Sequence, residues 1–284
     1  MTTPEVRRPE GVPHQNGLEQ TLIRYQQSHL FSVVYSDNTR AAYGSDLAQF
    51  QEYCRARNIL SVSQLTPEDF INWHNQLRQD GYAPATINRK RASSLGFFDW
   101  AQAEGIIRPD FTKSFPRYES PGKKQLKILS TEQVDKLISN AGNLRDASLI
   151  LITLGTGASI TEIINLNTED ISITADGNIA IRFKGGVRKT QPRTLEIDKY
   201  VGSEIAEYIE DSRLKPEDPL FQSHNREGIS TGHRLTRQGV NLILKGYTSK
   251  IGIENLNPRM LRDTFIADFA GNPHELTEVL GRNA

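Results

Sequence analysis

This sequence has almost no cysteine, no long apolar run and no net charge. Its single cysteine, Cys54, cannot form an intrachain disulfide, which fits a reducing compartment. The longest apolar stretch, around residues 147–154, is far shorter than the roughly 20 residues that a helix needs to cross a bilayer. The N-terminus also lacks the apolar segment of a secretory signal. We therefore expect a cytoplasmic protein.

The balance of 34 basic and 34 acidic residues argues against a protein that coats nucleic acid through its overall charge. It does not exclude a DNA-binding surface, because binding depends on where the positive groups lie. Basic residues cluster at positions 89–91, 123–124, 184–193 and 226–237. The histidines show no metal-ligand spacing and the glycines form no complete nucleotide-binding loop, so we expect neither a metal nor a cofactor.

The length of 284 residues predicts two domains. Residues 1–17 are polar and without periodicity, which indicates a flexible tail. Residues 18–111 show helical patterns throughout and form the first predicted domain. Residues 112–127 are rich in proline, glycine and lysine and are the best candidate linker. Residues 128–284 form the second predicted domain.

Local signals predict where several helices lie. An apolar stripe with helical spacing runs from Tyr43 to Cys54. Thr66 precedes a proline and two acids, and a hydroxyl cap followed by proline is typical of a helix start. Ser130 and Gln133 have the spacing of a capping box, which predicts another helix at the start of the second domain.

The second domain also shows strand patterns. Apolar and polar residues alternate over 179–184 and again over 195–197, which predicts a hairpin with a basic loop at 185–191. Residues 228–232 have the spacing of a hydrolase nucleophile elbow. The polar residues before them favour a surface turn over the buried strand that such an elbow needs.

The most informative motif is residues 257–265, Asn-Pro-Arg-Met-Leu-Arg-Asp-Thr-Phe. Arg259 and Arg262 are three residues apart, so on a helix both guanidinium groups would project from one face. Such a pair suits a bound phosphate, because guanidinium groups bind phosphate oxygens through two hydrogen bonds each. The arginines could instead pair with acids such as Glu162.

Segments along nearly the whole chain resemble the tyrosine site-specific recombinases, the phage integrase class. Residues 36–50 and 85–100 are similar to the SAM-like core-binding domain of that family. Residues 149–170 resemble its first catalytic box, Lys184 with its following glycines resembles its β-hairpin, and residues 257–265 resemble its His-x-x-Arg element. The resemblance implies a mainly α fold: a SAM-like four-helix core-binding domain, then a recombinase-type helical domain with a small antiparallel β-sheet.

The resemblance also implies an activity. Proteins of this family enclose duplex DNA between two domains, and a tyrosine attacks a phosphodiester to form a 3′-phosphotyrosyl bond. Two arginines hold the charge on the non-bridging oxygens, while a lysine and histidines transfer protons. Such a reaction depends on positioning and on electrostatic stabilisation, so each cation matters.

Only part of the family's catalytic set has a match here. Lys184 matches the hairpin lysine, the general acid, and Arg262 matches the arginine of His-x-x-Arg. Ser159 stands where the family has its first arginine. Arg259 and Arg282 each stand where the family has a histidine. The resemblance therefore implies an altered active site.

No tyrosine follows Tyr247 in the sequence, so the family's nucleophile has no counterpart and the covalent step has no attacking group. Loss of an arginine at the transition state costs on the order of 3 kcal/mol, about a hundredfold in rate. Arginine in place of histidine keeps positive charge but cannot exchange protons near neutral pH. Asp263, at a position where the family often has another histidine, would repel a phosphate unless it is neutralised.

We therefore expect a DNA-binding protein that cannot cleave DNA by itself and whose affinity falls steeply with salt. The expected phosphate-binding residues are Arg89, Lys90, Arg91, Arg188, Lys189, Arg259 and Arg262. In the family, the match of Glu162 supports the first arginine. With Ser159 in that place, Arg259 is the expected new partner of Glu162.

Two alternatives stay open. One is an active site-specific recombinase whose nucleophile-bearing C-terminal segment is missing from this sequence or supplied in trans. Ser159 and Arg259 argue against it, because truncation does not explain internal replacements. The other is a protein-interaction module that no longer binds DNA. The expected partners are double-stranded DNA and either an active recombinase or a second copy of the chain, and we expect no membrane partner.

Overall fold

The computed structural model describes residues 17–107, 117, 127–185 and 190–282. The chain divides into two compact units between residues 124 and 125. Most of the predicted linker, and all of the predicted tail except Gly17, lie outside the described residues. Within the described ranges, no helix combines the length and apolar character needed to cross a membrane.

The first unit is helical, as the sequence predicts. Its helices are α1 (Leu18–Gln27), α2 (His29–Val34), α3 (Asp37–Arg55), α4 (Pro67–Gln79) and α5 (Pro84–Ala103). Their apolar faces enclose a core rich in aromatic side chains, including Phe50, Trp73 and Phe98. The predicted stripe from Tyr43 to Cys54 lies in α3 and packs into this core.

The start of α4 shows how local sequence determines a helix boundary. The Thr66 hydroxyl accepts a hydrogen bond from the Asp69 N–H at 3.3 Å, and the Asp69 carboxylate accepts one from the Thr66 N–H at 3.0 Å. These bonds satisfy donors that have no partner within the helix. Pro67 takes the first helical position, where its missing N–H is not needed. The predicted helix start is therefore confirmed.

The second unit combines helices with two small sheets. Its helices are α6 (Thr131–Ser139), α7 (Leu144–Thr156), α8 (Ile160–Ile164), α9 (Lys199–Asp211), α10 (Arg237–Ile251), α11 (Pro258–Asp268) and α12 (Pro273–Val279). Its strands are β1 (Ile171–Ile173), β2 (Ile179–Phe183), β3 (Arg193–Ile197), β4 (Gln222–His224) and β5 (Ser230–Arg234). Strands β1, β2 and β3 form one antiparallel sheet in that order, and β4 pairs with β5. A 3-10 helix, Thr168–Asp170, leads into β1.

The predicted hairpin is the pair of β2 and β3. Phe183 lies directly opposite Arg193 in the register of the two strands. Residues opposite each other in an antiparallel pair project from the same face of the sheet. Part of the connecting loop, with the expected DNA contacts Arg188 and Lys189, lies outside the described residues.

Residues 222–232 contain the expected surface turn at 225–229, but two strands flank it. Most of them belong to the β4–β5 hairpin, and the turn itself spans only the residues between the two strands. Within that turn, the Asn225 side-chain oxygen accepts hydrogen bonds from the N–H groups of Glu227 and Ile229. The β5 residues Ser230–Arg234 are all polar or glycine, so no apolar alternation marks the strand in the sequence.

The end of α7 determines where the candidate site begins. Gly157 caps α7 with a left-handed φ of 58°. A Cβ at this position would lie 2.2 Å from the Phe265 Cδ1 atom of α11. Only glycine fits, because a side chain would be strained and would collide with α11. The close approach lets the chain turn at once into Ser159 and α8, beside α11.

Candidate functional site

The 257–265 motif forms the start of α11. Asn257 caps the helix, because its side-chain oxygen accepts hydrogen bonds from the N–H groups of Arg259 at 3.1 Å and Met260 at 3.3 Å. Met260 and Leu261 are buried in the core of the second unit. The burial of these two residues determines how α11 is rotated, and so where each arginine of the motif projects.

Arg259 and Arg262 differ strongly in exposure, which their spacing does not predict. The Arg259 side chain is 81% exposed, and its Nε lies 3.3 Å from Asp263 Oδ2. The Arg262 side chain is only 15% exposed. Spacing alone makes the two residues neighbours on the helix, but packing of α11 turns Arg262 into the unit. Arg259 also neutralises Asp263, the acid that would otherwise repel a phosphate.

Ser159 has a structural role at the position where the resemblance expects an arginine. Its hydroxyl donates to Glu162 Oε2 at 2.7 Å, and its backbone N–H donates to the same oxygen at 2.9 Å. Together the two residues form the capping box of α8. The position therefore orients Glu162 but contributes no positive charge.

Arg193 holds the other oxygen of Glu162, and the sequence analysis had placed it only within a basic cluster. Its Nη1 donates to Glu162 Oε1 at 2.7 Å, and its Nε donates to the Val279 carbonyl oxygen at 2.6 Å. Its side chain is 8% exposed, and its guanidinium lies 4.7 Å from the centroid of the Phe183 ring. The expected Arg259–Glu162 pair is not formed, because Arg259 lies at the surface. The sequence signal for Arg193 is alternation, because Arg193, Leu195 and Ile197 are every second residue of β3 and so share one face.

Arg262 lies beside this pair without joining it. Its Nη1 is 3.9 Å from Glu162 Oε2, beyond hydrogen-bond range. Burial, together with the nearby charge of Arg282, lowers the pKa of Arg262. Burial acts to raise the pKa of Glu162, but hydrogen bonds from Arg193 and Ser159 outweigh it and keep that pKa below its ordinary value. One ionised carboxylate thus lies among several cations.

Lys184 binds a different carboxylate. Its Nζ lies 2.9 Å from Asp170 Oδ2 and 3.4 Å from Glu169 Oε1. The other oxygen of Asp170 accepts a hydrogen bond from Arg182 at 2.9 Å. The hydrogen bond to Asp170 raises the pKa of Lys184. A lysine with a raised pKa is a weaker general acid, because it holds its proton more tightly than an unpaired lysine.

The structure thus places the matched residues in two groups. Side chains alternate along a strand, so Arg182 and Lys184 project together from the face of β2 that meets Asp170. Arg193 projects from the opposite face, where it meets Glu162. Arg262 belongs to the Glu162 group and Lys184 to the Asp170 group.

In the first unit, Arg89 and Lys90 bind the buried carboxylate of Asp46. Lys90 Nζ lies 2.9 Å from Asp46 Oδ1, and the Lys90 side chain is 7% exposed. Arg89 bonds the other oxygen and is partly exposed, and Arg91 is half-buried. The role of Asp46 is not evident in the sequence, because it lies beside the apolar stripe of α3 and meets its partners only when the helices pack.

Family models match both units. The model of the phage integrase family matches residues 127–280, and that of the phage integrase N-terminal SAM-like domain matches residues 22–105. The chain belongs to the tyrosine recombinase family. It is 30% identical over 245 residues to tyrosine recombinase XerC of Roseiflexus castenholzii, covering 81% of this chain and 74% of the relative. It is 32% identical over 255 residues to a putative tyrosine recombinase of Caldanaerobacter subterraneus, covering 86% and 82%.

Solved tyrosine recombinases have the same fold. The recombinase XerH bound to its difH substrate aligns with a TM-score of 0.66 at 20% identity, covering 94% of this chain and 77% of that one. A λ integrase dimer bound to a core site aligns with a TM-score of 0.70 at 14% identity, covering 94% and 75%. The likeness confirms the predicted mainly α fold, with a SAM-like domain followed by a recombinase-type domain.

Proposed function

We propose that this tyrosine recombinase homologue binds duplex DNA in a recombination context and does not cleave it by itself. The observation that carries the proposal is the excess of positive charge around Glu162. The guanidinium of Arg262 forms no hydrogen bond within the part of the chain that the structure describes, and Arg193 and Arg282 add positive charge nearby. Because guanidinium groups bind phosphate oxygens well, we assign Arg262 to a backbone phosphate.

The comparisons support DNA as the partner, since the XerH and λ integrase structures are complexes with DNA. We assign the outer phosphate contacts to cations with exposed side chains, Arg89, Lys184 and Arg259. The loop residues Arg188 and Lys189 are proposed contacts on sequence grounds alone. Lys90 and Arg91 are more buried, and we assign Lys90 to orienting Arg89 through Asp46.

Three internal positions support the absence of cleavage. Ser159 has no charge to place on a transition-state oxygen. Arg259 cannot transfer protons near neutral pH and is paired with Asp263. Lys184 is paired with acids that strengthen its hold on its proton. Each position weakens a different part of the reaction, so we propose that any cleavage depends on an active recombinase partner.

Fluorescence anisotropy with a labelled duplex of random sequence tests the DNA-binding half of the proposal. The logarithm of the affinity should fall linearly with the logarithm of the salt concentration, because each neutralised phosphate releases about 0.9 counterion. Arg262→Gln should weaken binding, whereas Lys136→Gln, at an exposed ion pair with Glu132, should not. A flat salt response would contradict DNA binding and favour a protein-interaction module.

A pool of nicked suicide duplexes of random sequence tests the other half. The chain should form no denaturant-resistant adduct with this DNA, whereas an active XerC or XerD enzyme on its own nicked site should form one. An adduct trapped on this chain alone would show that it is an active recombinase and overturn the proposed lack of cleavage.

A further inference from the structure

Both oxygens of Glu162 are occupied by residues other than Arg262. Oε1 accepts the Arg193 hydrogen bond at 2.7 Å. Oε2 accepts two hydrogen bonds from Ser159, at 2.7 Å and 2.9 Å. Arg262 Nη1 lies 3.9 Å from Glu162 Oε2, so the two charges attract each other but form no hydrogen bond. Both oxygens of Glu162 therefore have hydrogen-bond donors, and the N–H groups of the Arg262 guanidinium stay available to another acceptor.

We propose that Arg193 is a positioning residue for DNA binding: by occupying Glu162, it keeps Arg262 available to a phosphate diester. This inference rests on the proposed function, because it requires that Arg262 contact DNA. Ser159 replaces the arginine that the family has beside Glu162, so Arg193 supplies the fixed positive charge next to this carboxylate.

Arg193 is held too firmly to reach DNA itself. Its Nε is bonded to the Val279 carbonyl oxygen, and its guanidinium lies over the Phe183 ring. Its Nη2 is buried and has no hydrogen-bond partner within the described residues. Any effect of Arg193 on DNA affinity must therefore pass through Glu162 and Arg262.

Removal of Arg193 would make Arg262 the nearest cation to a buried carboxylate. A buried charge without a partner is costly, and attraction between charges is strong where water is scarce. A movement of about 1 Å would bring Arg262 within hydrogen-bond range of Glu162. Arg262 would then pair with the carboxylate and lose its geometry for a phosphate.

The test measures how much Arg262 contributes to DNA affinity in three backgrounds. These are the full unmodified chain, Arg193→Gln, and the double variant Arg193→Gln/Glu162→Gln. Anisotropy with a labelled random duplex gives the dissociation constant with and without Arg262→Gln. We expect Arg262→Gln to weaken binding about tenfold in the unmodified chain, the effect of one charge-assisted hydrogen bond. The loss should fall below about twofold in Arg193→Gln, and it should return to about tenfold in the double variant, where no carboxylate captures Arg262.

The losses of affinity in the three backgrounds distinguish DNA contact by Arg262 from the positioning role of Arg193. Equal losses in the unmodified and Arg193→Gln backgrounds would overturn this proposal and leave DNA contact by Arg262 intact. No loss in the unmodified chain would overturn the assigned contact, and this inference with it. A merely structural role for Arg193 would lower the folded fraction seen by circular dichroism without changing the ratio of affinities.

Arg193→Lys is the second variant if Arg193→Gln yields too little folded protein. A lysine ammonium keeps one charged contact with Glu162, so the loss caused by Arg262→Gln should stay near tenfold. Disappearance of that loss in Arg193→Lys would count against the proposal.

Discussion

Two buried carboxylates of the second unit each lie against two cations, but the cations differ in their exposure. Glu162 meets Arg193 and lies near Arg262, and both of these side chains are largely buried. Asp170 is fully buried, yet its partners Arg182 and Lys184 are about half exposed. The same chemical pairing therefore occurs in two different surroundings.

The difference in exposure determines what each cation can do. An exposed cation can exchange a carboxylate for a DNA phosphate at small cost, because water and salt weaken both pairs. Arg193 cannot make that exchange, because it is buried and its departure would leave the buried Glu162 without its bonded cation. The cations of the Asp170 group can therefore move from the carboxylate to a phosphate, whereas Arg193 in the Glu162 group stays in a fixed geometry.

The largest expected difference between the two groups is in stability. Arg193→Gln removes a buried partner of Glu162 and should lower the free energy of unfolding by about 3 kcal/mol. Arg182→Gln should cost about 1 kcal/mol or less, because Arg182 is exposed and Asp170 keeps its bond to Lys184. Urea unfolding followed by far-UV circular dichroism measures both losses.

Tryptophan fluorescence supplies an internal control for this measurement. The two tryptophans, Trp73 and Trp100, both lie in the first unit. The loss in Arg193→Gln should therefore appear in the dichroism transition, with the fluorescence midpoint little changed. Similar losses for Arg193→Gln and Arg182→Gln would remove the distinction between the two carboxylates.

Acid should reduce the loss of stability in Arg193→Gln/Arg262→Gln but not that in Arg182→Gln, because Arg262 is the residue that would otherwise pair with Glu162 in place of Arg193. In the unmodified chain the pKa of Glu162 is lowered, so its stabilising contribution is present above the ordinary pKa and is lost as pH falls through the folded pKa. Without Arg193 and Arg262, burial favours a raised pKa for Glu162, and protonation then relieves the unpaired carboxylate as pH falls.

The stability gap between Arg193→Gln/Arg262→Gln and the unmodified chain should therefore narrow by about 1 kcal/mol from pH 7 to pH 5. The gap for Arg182→Gln should stay constant over this range, because hydrogen bonds from Asn167 and Lys184 still lower the pKa of Asp170. Urea unfolding at several pH values measures both gaps. A constant gap for Arg193→Gln/Arg262→Gln would mean that Glu162 has found a partner other than these two arginines.

The distance along the sequence between contacting residues explains how much of the structure the sequence could predict. The Thr66 and Ser130 helix starts were predictable, because a capping box is formed by residues three positions apart. The β2–β3 hairpin was predictable from alternation along each strand. Its register, which sets Arg193 opposite the buried Phe183, was not predicted and is known only from the structure.

The ion pairs were not predictable in the same way. Arg193 and Glu162 are 31 residues apart, and Arg89 and Asp46 are 43 apart, so only the packed fold shows that they meet. Helical spacing predicted that Arg259 and Arg262 would act together. It could not show that the packing of α11 would bury Arg262 and leave Arg259 exposed, because burial depends on which helix packs against which.

The smallest expected effect concerns Lys184 and tests whether the Asp170 group is adjustable. Lys184→Gln should change stability by less than about 1 kcal/mol, since the pair is half exposed. If Lys184 leaves Asp170 for a phosphate, the substitution should reduce the salt slope of DNA binding by about 0.9. Lys136→Gln is the matched control on α6 and should leave the slope unchanged. An unchanged slope in Lys184→Gln would mean that Lys184 stays with Asp170 in the complex, so exposure alone would not make a paired cation available to DNA.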